Sequence, residues 1–228
     1  YQGTSNYNGS DTLTVLSTDS GNPALTDSDT VAITVSAVND PPVLEPGASP
    51  ALDAVAEDAA TPSGEVGTLV SGLVAFDDGG NFTDPESDPV GLAIVALNTA
   101  NGSFYVSTDS GANWTALSGT VSTTSAVLLA ANASTRIYFK PTANFNGTVS
   151  DGLTIKAWDR TSGSNGGTGV DSTSGTAFSS ATDTVSVSVT AVNDAPVASG
   201  SATLTAVAED TSDPAGATVT SLFTSNFS

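Results

Sequence analysis

The chain has 228 residues, 38% of them apolar, and carries 24 acidic against 4 basic side chains, a formal net charge of −20. The length admits one or two domains with a real hydrophobic core, whereas the charge repels nucleic acid and anionic membranes and favours bound cations that neutralise it. Cysteine, methionine and histidine are absent, which excludes a disulfide framework, a thiolate nucleophile and imidazole ligands or bases.

In chain order, the first strand-like stretch is NYNGSDTLTVLSTDSG at 6–21, followed by SDTVAITVSAVND at 28–40, where Val31, Ile33 and Val35 alternate with other residues. Period-two alternation puts one face of a strand against apolar neighbours and the other in water. Asn39 and Asp40 end this strand and Pro41 follows at once; proline fixes φ and holds the preceding residue extended, so the exit is short and stiff. AVAED follows at 54–58, and candidate strands lie at 67–74, 91–97, 103–107, 125–130 and 135–140, separated by turn-forming Gly, Asn, Asp and Ser. Leu153, Ile155 and Ala157 alternate with Thr154, Lys156 and Trp158, and Val185, Val187 and Val189 alternate with Ser and Thr. No helical spacing runs over a long window. The expected fold class is all-β, a sandwich of short strands with one buried face each.

Blocks recur in one order along the chain. NYNGSDTLTVLSTDSG (6–21) matches NFNGTVSDGLTIKAWDRTSG (144–163), SDTVAITVSAVND (28–40) matches TDTVSVSVTAVND (182–194), and AVAEDAATPSGEVGTLV (54–70) matches AVAEDTSDPAGATVTSL (206–222). A period of about 152–154 residues divides the chain into the C-terminal part of a preceding repeat (1–40), a complete repeat (41–194) and the N-terminal part of a following one (195–228). The closing SNFS matches GNFT at 80–83, and the chain, which does not begin with Met, reads as a piece of a longer secreted protein.

The remaining acids gather in short words: Glu57 and Asp58 in AVAED, Asp84, Glu86 and Asp88 in TDPESDP, and Asp159 in KAWD. Carboxylates two residues apart on an extended or turning segment can converge their oxygens, and Ca²⁺ takes about six to eight oxygen ligands in loose geometry where Mg²⁺ demands an octahedron. The plainer alternatives are a solvated acidic turn at 84–88, favoured by Pro85 and Pro89, a strand end at Asp159, and turn caps at Asn39 and Asn193. An EF-hand does not fit, because Pro89 occupies its glycine position and Val95 its closing glutamate.

Through AVND, AVAED, TDPESDP and KAWD, the chain resembles the bacterial cadherin-like repeats of giant cell-surface adhesins, over essentially its whole length. The resemblance implies tandem Ig-like, cadherin-like β-sandwich repeats outside the cell with Ca²⁺ at the joints between them. It implies one site built from Asn39, Asp40, Asp84, Glu86, Asp88 and Asp159, and a second from Glu57, Asn193 and Asp194, completed by the following repeat. It also implies the function of a calcium-rigidified extender that projects binding domains for cell adhesion or matrix attachment, with neighbouring repeats, other cells or surface polysaccharide as partners. Animal cadherins carry an L-D-R-E word with no counterpart here, and 105–117 and 162–175 look like additions.

Two other readings stand beside it. A carbohydrate- or protein-binding module would use the loops 105–117 and 160–180, with Trp114 and Trp158 stacking on sugar rings; the plainer reading of both rings is partial burial. A structural subunit of a sheath or filament would use lateral contacts between chains. Paired carboxylates also suit a glycosidase, but a repeated unit without histidine is not expected to be an enzyme. Asn-x-Ser/Thr words, among them those at Asn8 and Asn146, permit glycosylation.

Overall fold

The computed structural model describes residues 1–45, 47–74, 81–197 and 199–224, and the chain divides into two units, Tyr1–Ala191 and Val192–Ser228. The first opens with an antiparallel hairpin, β1 (Gly9–Thr18) and β2 (Thr26–Val35), which forms a two-stranded sheet of its own. After β3 (Val43–Leu44) come β4 (Ala51–Ala56), β5 (Thr68–Leu69), the helical turn α1 (Val70–Val74) and β6 (Phe82–Thr83). They are followed by β7 (Gly91–Leu97), β8 (Gly102–Ser107), β9 (Thr115–Ala116), β10 (Val127–Ala130), β11 (Arg136–Pro141), β12 (Gly147–Trp158) and β13 (Asp183–Thr190). One sheet has the order β10-β7-β12-β13-β4, the other β5-β11-β8-β9, and β3 pairs with β6. All pairings are antiparallel except β13 with β4.

Alternation explains the sandwich. Leu92 and Ile94 of β7, Leu153 and Ile155 of β12 and Val185, Val187 and Val189 of β13 share one core with Phe104 and Val106 of β8 and Ile137 and Phe139 of β11. At its centre the Phe104 and Phe139 rings lie 4.8 Å apart and tilted by 48°, an arrangement that avoids face-to-face stacking of like quadrupoles.

Two expectations fail for physical reasons. The stretch 67–74 is a strand only at β5 and then turns into α1, because Val70, Leu73 and Val74, spaced i, i+3 and i+4, reach the core together from a helical turn. The second face of the five-stranded sheet is not wet: Ala93, Val95, Ala126, Leu128 and Ala130 form a separate cluster with Trp158, Ala177 and Phe178. Segment 160–181 folds over that face through the bridges Ala126–Val170 and Trp158–Phe178. Trp158, expected on the polar side and there either partly buried or stacking on a sugar ring, is therefore 1% exposed, with Nε1 donating to Ser162 O at 2.8 Å. It is a core residue and presents no ring to a ligand. Lys156 is buried too, its Nζ donating to Ser172 O at 2.9 Å. Gly91 makes the close packing possible, since a Cβ there would stand 2.7 Å from Trp158 Cε3 and 2.6 Å from Leu129 O.

The β1–β2 hairpin repeats the geometry of β12–β13. Leu13↔Val31, Thr14↔Thr30 and Val15↔Asp29 take the pairing of Leu153↔Val185, Thr154↔Thr184 and Ile155↔Asp183, and Gly9↔Val35 that of Gly147↔Val189. The entry turns agree as well: Asn6 and Gly9 have φ of 60° and 125°, Asn144 and Gly147 60° and 127°. A bulge between Val149 and Leu153 absorbs the residues by which NFNGTVSDGL exceeds NYNGSDTL. Burial does not repeat, for β1 is exposed along its whole length.

In the second unit the described secondary structure is the helical turn α2 (Val219–Phe223), capped by Thr218, whose Oγ1 accepts from Ser221 N at 3.0 Å. Its letters VTSLF repeat the pattern of VSGLV in α1. The closing SNFS and Gly80 of GNFT lie outside the described residues.

Candidate metal centre

The pairing of β3 with β6, Val43↔Thr83 and Leu44↔Phe82, extended by Glu45 N donating to Asn81 O at 3.0 Å, carries the acidic turn 84–88 to the exit at 39–40. In that turn Asp84 Oδ1 accepts from the N–H groups of Glu86 and Asp88 at 3.0 Å each. Ser87 donates its N–H to Asp84 O at 3.1 Å and takes φ 62°, the left-handed conformation of a tight turn. Glu86 Oε2 in turn accepts from Asp40 N at 3.0 Å.

The end of β12 supplies the other side. Asp159 is fully buried, its N–H donating to Ala177 O at 3.2 Å and its Oδ1 accepting from Thr161 N at 2.8 Å and Thr161 Oγ1 at 2.7 Å. Asn39 Nδ2 donates to Asp159 Oδ2 at 2.9 Å and to Thr176 Oγ1 at 3.0 Å. Asp159, Asn39, Asp40, Glu86, Asp84 and Asp88 thus lie on one hydrogen-bonded run, which brings together all the residues expected for the first site. Thr161 and Thr176 belong to it as well; in a chain so rich in Ser and Thr, nothing in their letters sets them apart.

Two oxygens of this run, Asn39 Oδ1 and Asp84 Oδ2, are buried without a hydrogen-bond partner. A buried acceptor left bare costs about 1–3 kcal/mol, and amide and carboxylate oxygens are the donor set of a hard cation. The residues therefore fit Ca²⁺ by chemistry. Among the described residues no three Asp or Glu side chains by themselves form a metal-holding group; Asp84 and Asp159 instead turn one oxygen each to neighbouring N–H or O–H donors.

The residues expected for the second site are placed differently. Glu57 follows β4, donates its N–H to Thr190 O at 3.0 Å, is 4% exposed, and accepts at Oε2 from Asn146 Nδ2 at 3.0 Å. Because Asn146 precedes β12 and Asp159 follows it, Glu57 and Asp159 belong to opposite ends of that strand. Asn193 and Asp194 lie in the second unit, where Asn193 Nδ2 donates to Asp194 O at 3.4 Å, the contact that Asn39 makes with Asp40 O at the same distance.

Trp114 is half-buried, donating Nε1 to Gly64 O at 3.2 Å and standing edge-on to Tyr138 with ring centroids 6.0 Å apart. The turn before it is tied by Asp109, which accepts at Oδ1 from Asn113 N and Ser107 Oγ and at Oδ2 from Asn113 Nδ2. Gly111, at φ +83°, is required there, because a Cβ would fall 1.8 Å from Gly64 O. Hydrogen bonds from the Asn113 side chain, then from the Asn113 N–H and Ser107 Oγ, hold the Asp109 carboxyl below its ordinary 3.8. A depressed carboxyl stabilises the fold fully above its unfolded value and loses that contribution as pH falls through the lower folded value. Acidification below pH 3.8 is therefore expected to loosen this turn and shift Trp114 fluorescence, a change absent from Asp109→Asn.

No protein family model matches the chain, and no curated protein does. Solved structures do resemble it. One, titled "Protocadherin gammaB7 EC3-6 cis-dimer structure", is 20% identical with a TM-score of 0.45, and the match covers 83% of this chain and 35% of that one. Another, "Protocadherin Gamma B2 extracellular cadherin domains 1-5", is 16% identical with a TM-score of 0.44, covering 82% of this chain and 27% of that one. The chain thus spans about a third of the length of the first and about a quarter of the second.

Proposed function

We propose that the chain is a Ca²⁺-stiffened, cadherin-like extender repeat of a large bacterial surface adhesin, working outside the cell to hold binding domains away from it. The observation that carries this reading is the run from Asp159 through Asn39 and Asp40 to Asp84, with two buried oxygens that no protein donor meets. Asn39, Asp40, Asp84, Glu86, Asp88 and Asp159 would hold the ion, which supplies the positive charge that a chain of net charge −20 lacks at a point where carboxylates gather. The consequence is mechanical. Asn39 and Asp40 lead from the β1–β2 hairpin into the sandwich, so an ion shared between them and the turns at 84–88 and 159 freezes the angle of that exit.

Thermal melting and small-angle scattering with calcium and with chelator test it. A site filled to about 100 times its dissociation constant adds ~2.7 kcal/mol, a rise of roughly 5–10 °C for a protein of this size, together with a longer maximum dimension. Superimposable melts and scattering curves in the two buffers would sink the reading.

A further inference from the structure

The stretch 105–117, an addition by its sequence, builds one wall of an open groove that the cation run does not touch. Tyr105 of β8, with Asn113 and Trp114 of the turn before β9, lies across from Thr61, Ser63 and Gly64, and the space between them is about 480 Å³. Small-molecule sites run from about 300 to 1,000 Å³. Every lining residue belongs to the complete repeat 41–194.

Both walls are fixed from behind. Tyr138 Oη donates to Ala60 O, Lys140 Nζ to Thr61 Oγ1 and Trp114 Nε1 to Gly64 O, each at 3.2 Å, so three side chains tie down the segment 60–64. Asp109 holds the opposite wall by accepting from Asn113 N at 2.9 Å and Asn113 Nδ2 at 2.6 Å, and the walls meet where Gly111 packs on Gly64 O. A groove tied at this many points loses little conformational freedom when it binds.

The lining defines the ligand's chemistry. Trp114 and Tyr105 are half-buried, each an apolar ring with a polar edge. Tyr105 Oη, Ser63 Oγ and Asn113 Oδ1 bond no protein group among the described residues, which leaves two hydroxyls and an amide oxygen beside the rings. None of the lining residues is charged, and a net charge of −20 repels polyanions. Ring faces suit the C–H surface of a sugar and neutral polar groups suit its hydroxyls, while no cation stands ready for a carboxylate or sulfate.

We infer that this groove binds a neutral polysaccharide, with a sugar ring resting on Trp114 and Tyr105 and its hydroxyls taken by Asn113 and Ser63. The site goes beyond the cation reading and makes no use of it, so its test is run in chelator.

Native electrophoresis of the full chain through gels containing mixed-linkage β-glucan, galactomannan or dextran shows retardation by at least one of these neutral polymers and none by alginate. The retarding polymer also shifts tryptophan emission, and because Trp158 is buried the shift reports Trp114. Trp114→Ala weakens binding by roughly tenfold or more. That change also removes the bond to Gly64 O, so Ala112→Leu is the second variant. Ala112 is exposed, lines the groove and makes none of these side-chain ties. Its added bulk obstructs the groove and weakens binding, while the melt stays within about 2 °C of wild type. The inference is overturned if none of the neutral polymers retards the chain, if alginate retards it as strongly as they do, or if Trp114→Ala or Ala112→Leu binds like wild type.

Discussion

Asp159→Ala lowers the melting temperature in chelator by about 5–10 °C and removes the further rise that calcium gives. The first effect follows from the donors left behind. Thr161 N and Thr161 Oγ1 point at a carboxylate that is fully buried and lose their acceptor in alanine, while Asn39 Nδ2 loses one acceptor and keeps Thr176 Oγ1. A donor left without its acceptor costs up to roughly 1–3 kcal/mol, partly recovered where water enters, as it does at exposed Thr161, and the rest of the loss comes from the buried space the carboxylate vacates. The second effect separates a ligand from a mere turn-former. Asp159→Asn keeps an oxygen for Thr161 but not the charge, and sets an amide N–H against Asn39 Nδ2, so it melts between Asp159→Ala and wild type in chelator and still loses most of the calcium increment. Asp171 is the control, because its Oδ1 also accepts from a Thr two residues on, Thr173 N and Oγ1, but in an exposed turn. Asp171→Ala leaves both melts within about 2 °C of wild type. A full calcium increment in Asp159→Asn would remove Asp159 from the site.

The sandwich was readable where a strand has one wet face. Val185, Val187 and Val189 alternate with Ser and Thr because β13 is apolar only toward the core, and letters of period two say so directly. The helical turn α1 was hidden, since VSGLV is too short for its i, i+3, i+4 spacing to stand out from an apolar strand. The second cluster was hidden for a different reason. Its cover, Phe178 and Ala177, comes from a segment of Ser, Thr and Gly with almost no apolar letters, so nothing announced that Trp158 and Lys156 would be roofed over. The candidate site divides in the same way. AVND, TDPESDP and KAWD were legible because acids in a chain with few bases form conspicuous words, and AVND recurs. Asn146, which donates to Glu57, stood out only as a glycosylation word, although Asn8 repeats it. What no letter count reveals is which oxygens remain bare after folding, and Asn39 Oδ1 and Asp84 Oδ2 are the observation that carries the functional reading.

Trp158→Ala is expected to be the most destabilising single change in the sandwich, at about 3–5 kcal/mol or roughly 10–15 °C. The indole is the largest fully buried side chain, it fills the cluster formed by Ala93, Leu128, Ala130 and Phe178, and its Nε1 ties Ser162 O. The small residues at 91, 93 and 130 fill little of the space it vacates, so a cavity persists and its lining loses contacts outright. Trp158→Phe keeps part of the volume and loses the hydrogen bond, which places its melt between the two. The damage reaches the adjacent residue: Asp159 donates to Ala177 O beneath the same cover, so under the proposed function both variants are expected to lose calcium increment in the order of their melts. Limited proteolysis checks the location of the effect, with new cleavage in Trp158→Ala confined to the segment 160–181 that the indole holds down. A melt within about 2 °C of wild type would show that the ring faces solvent, and would return it to the surface where a sugar could stack on it.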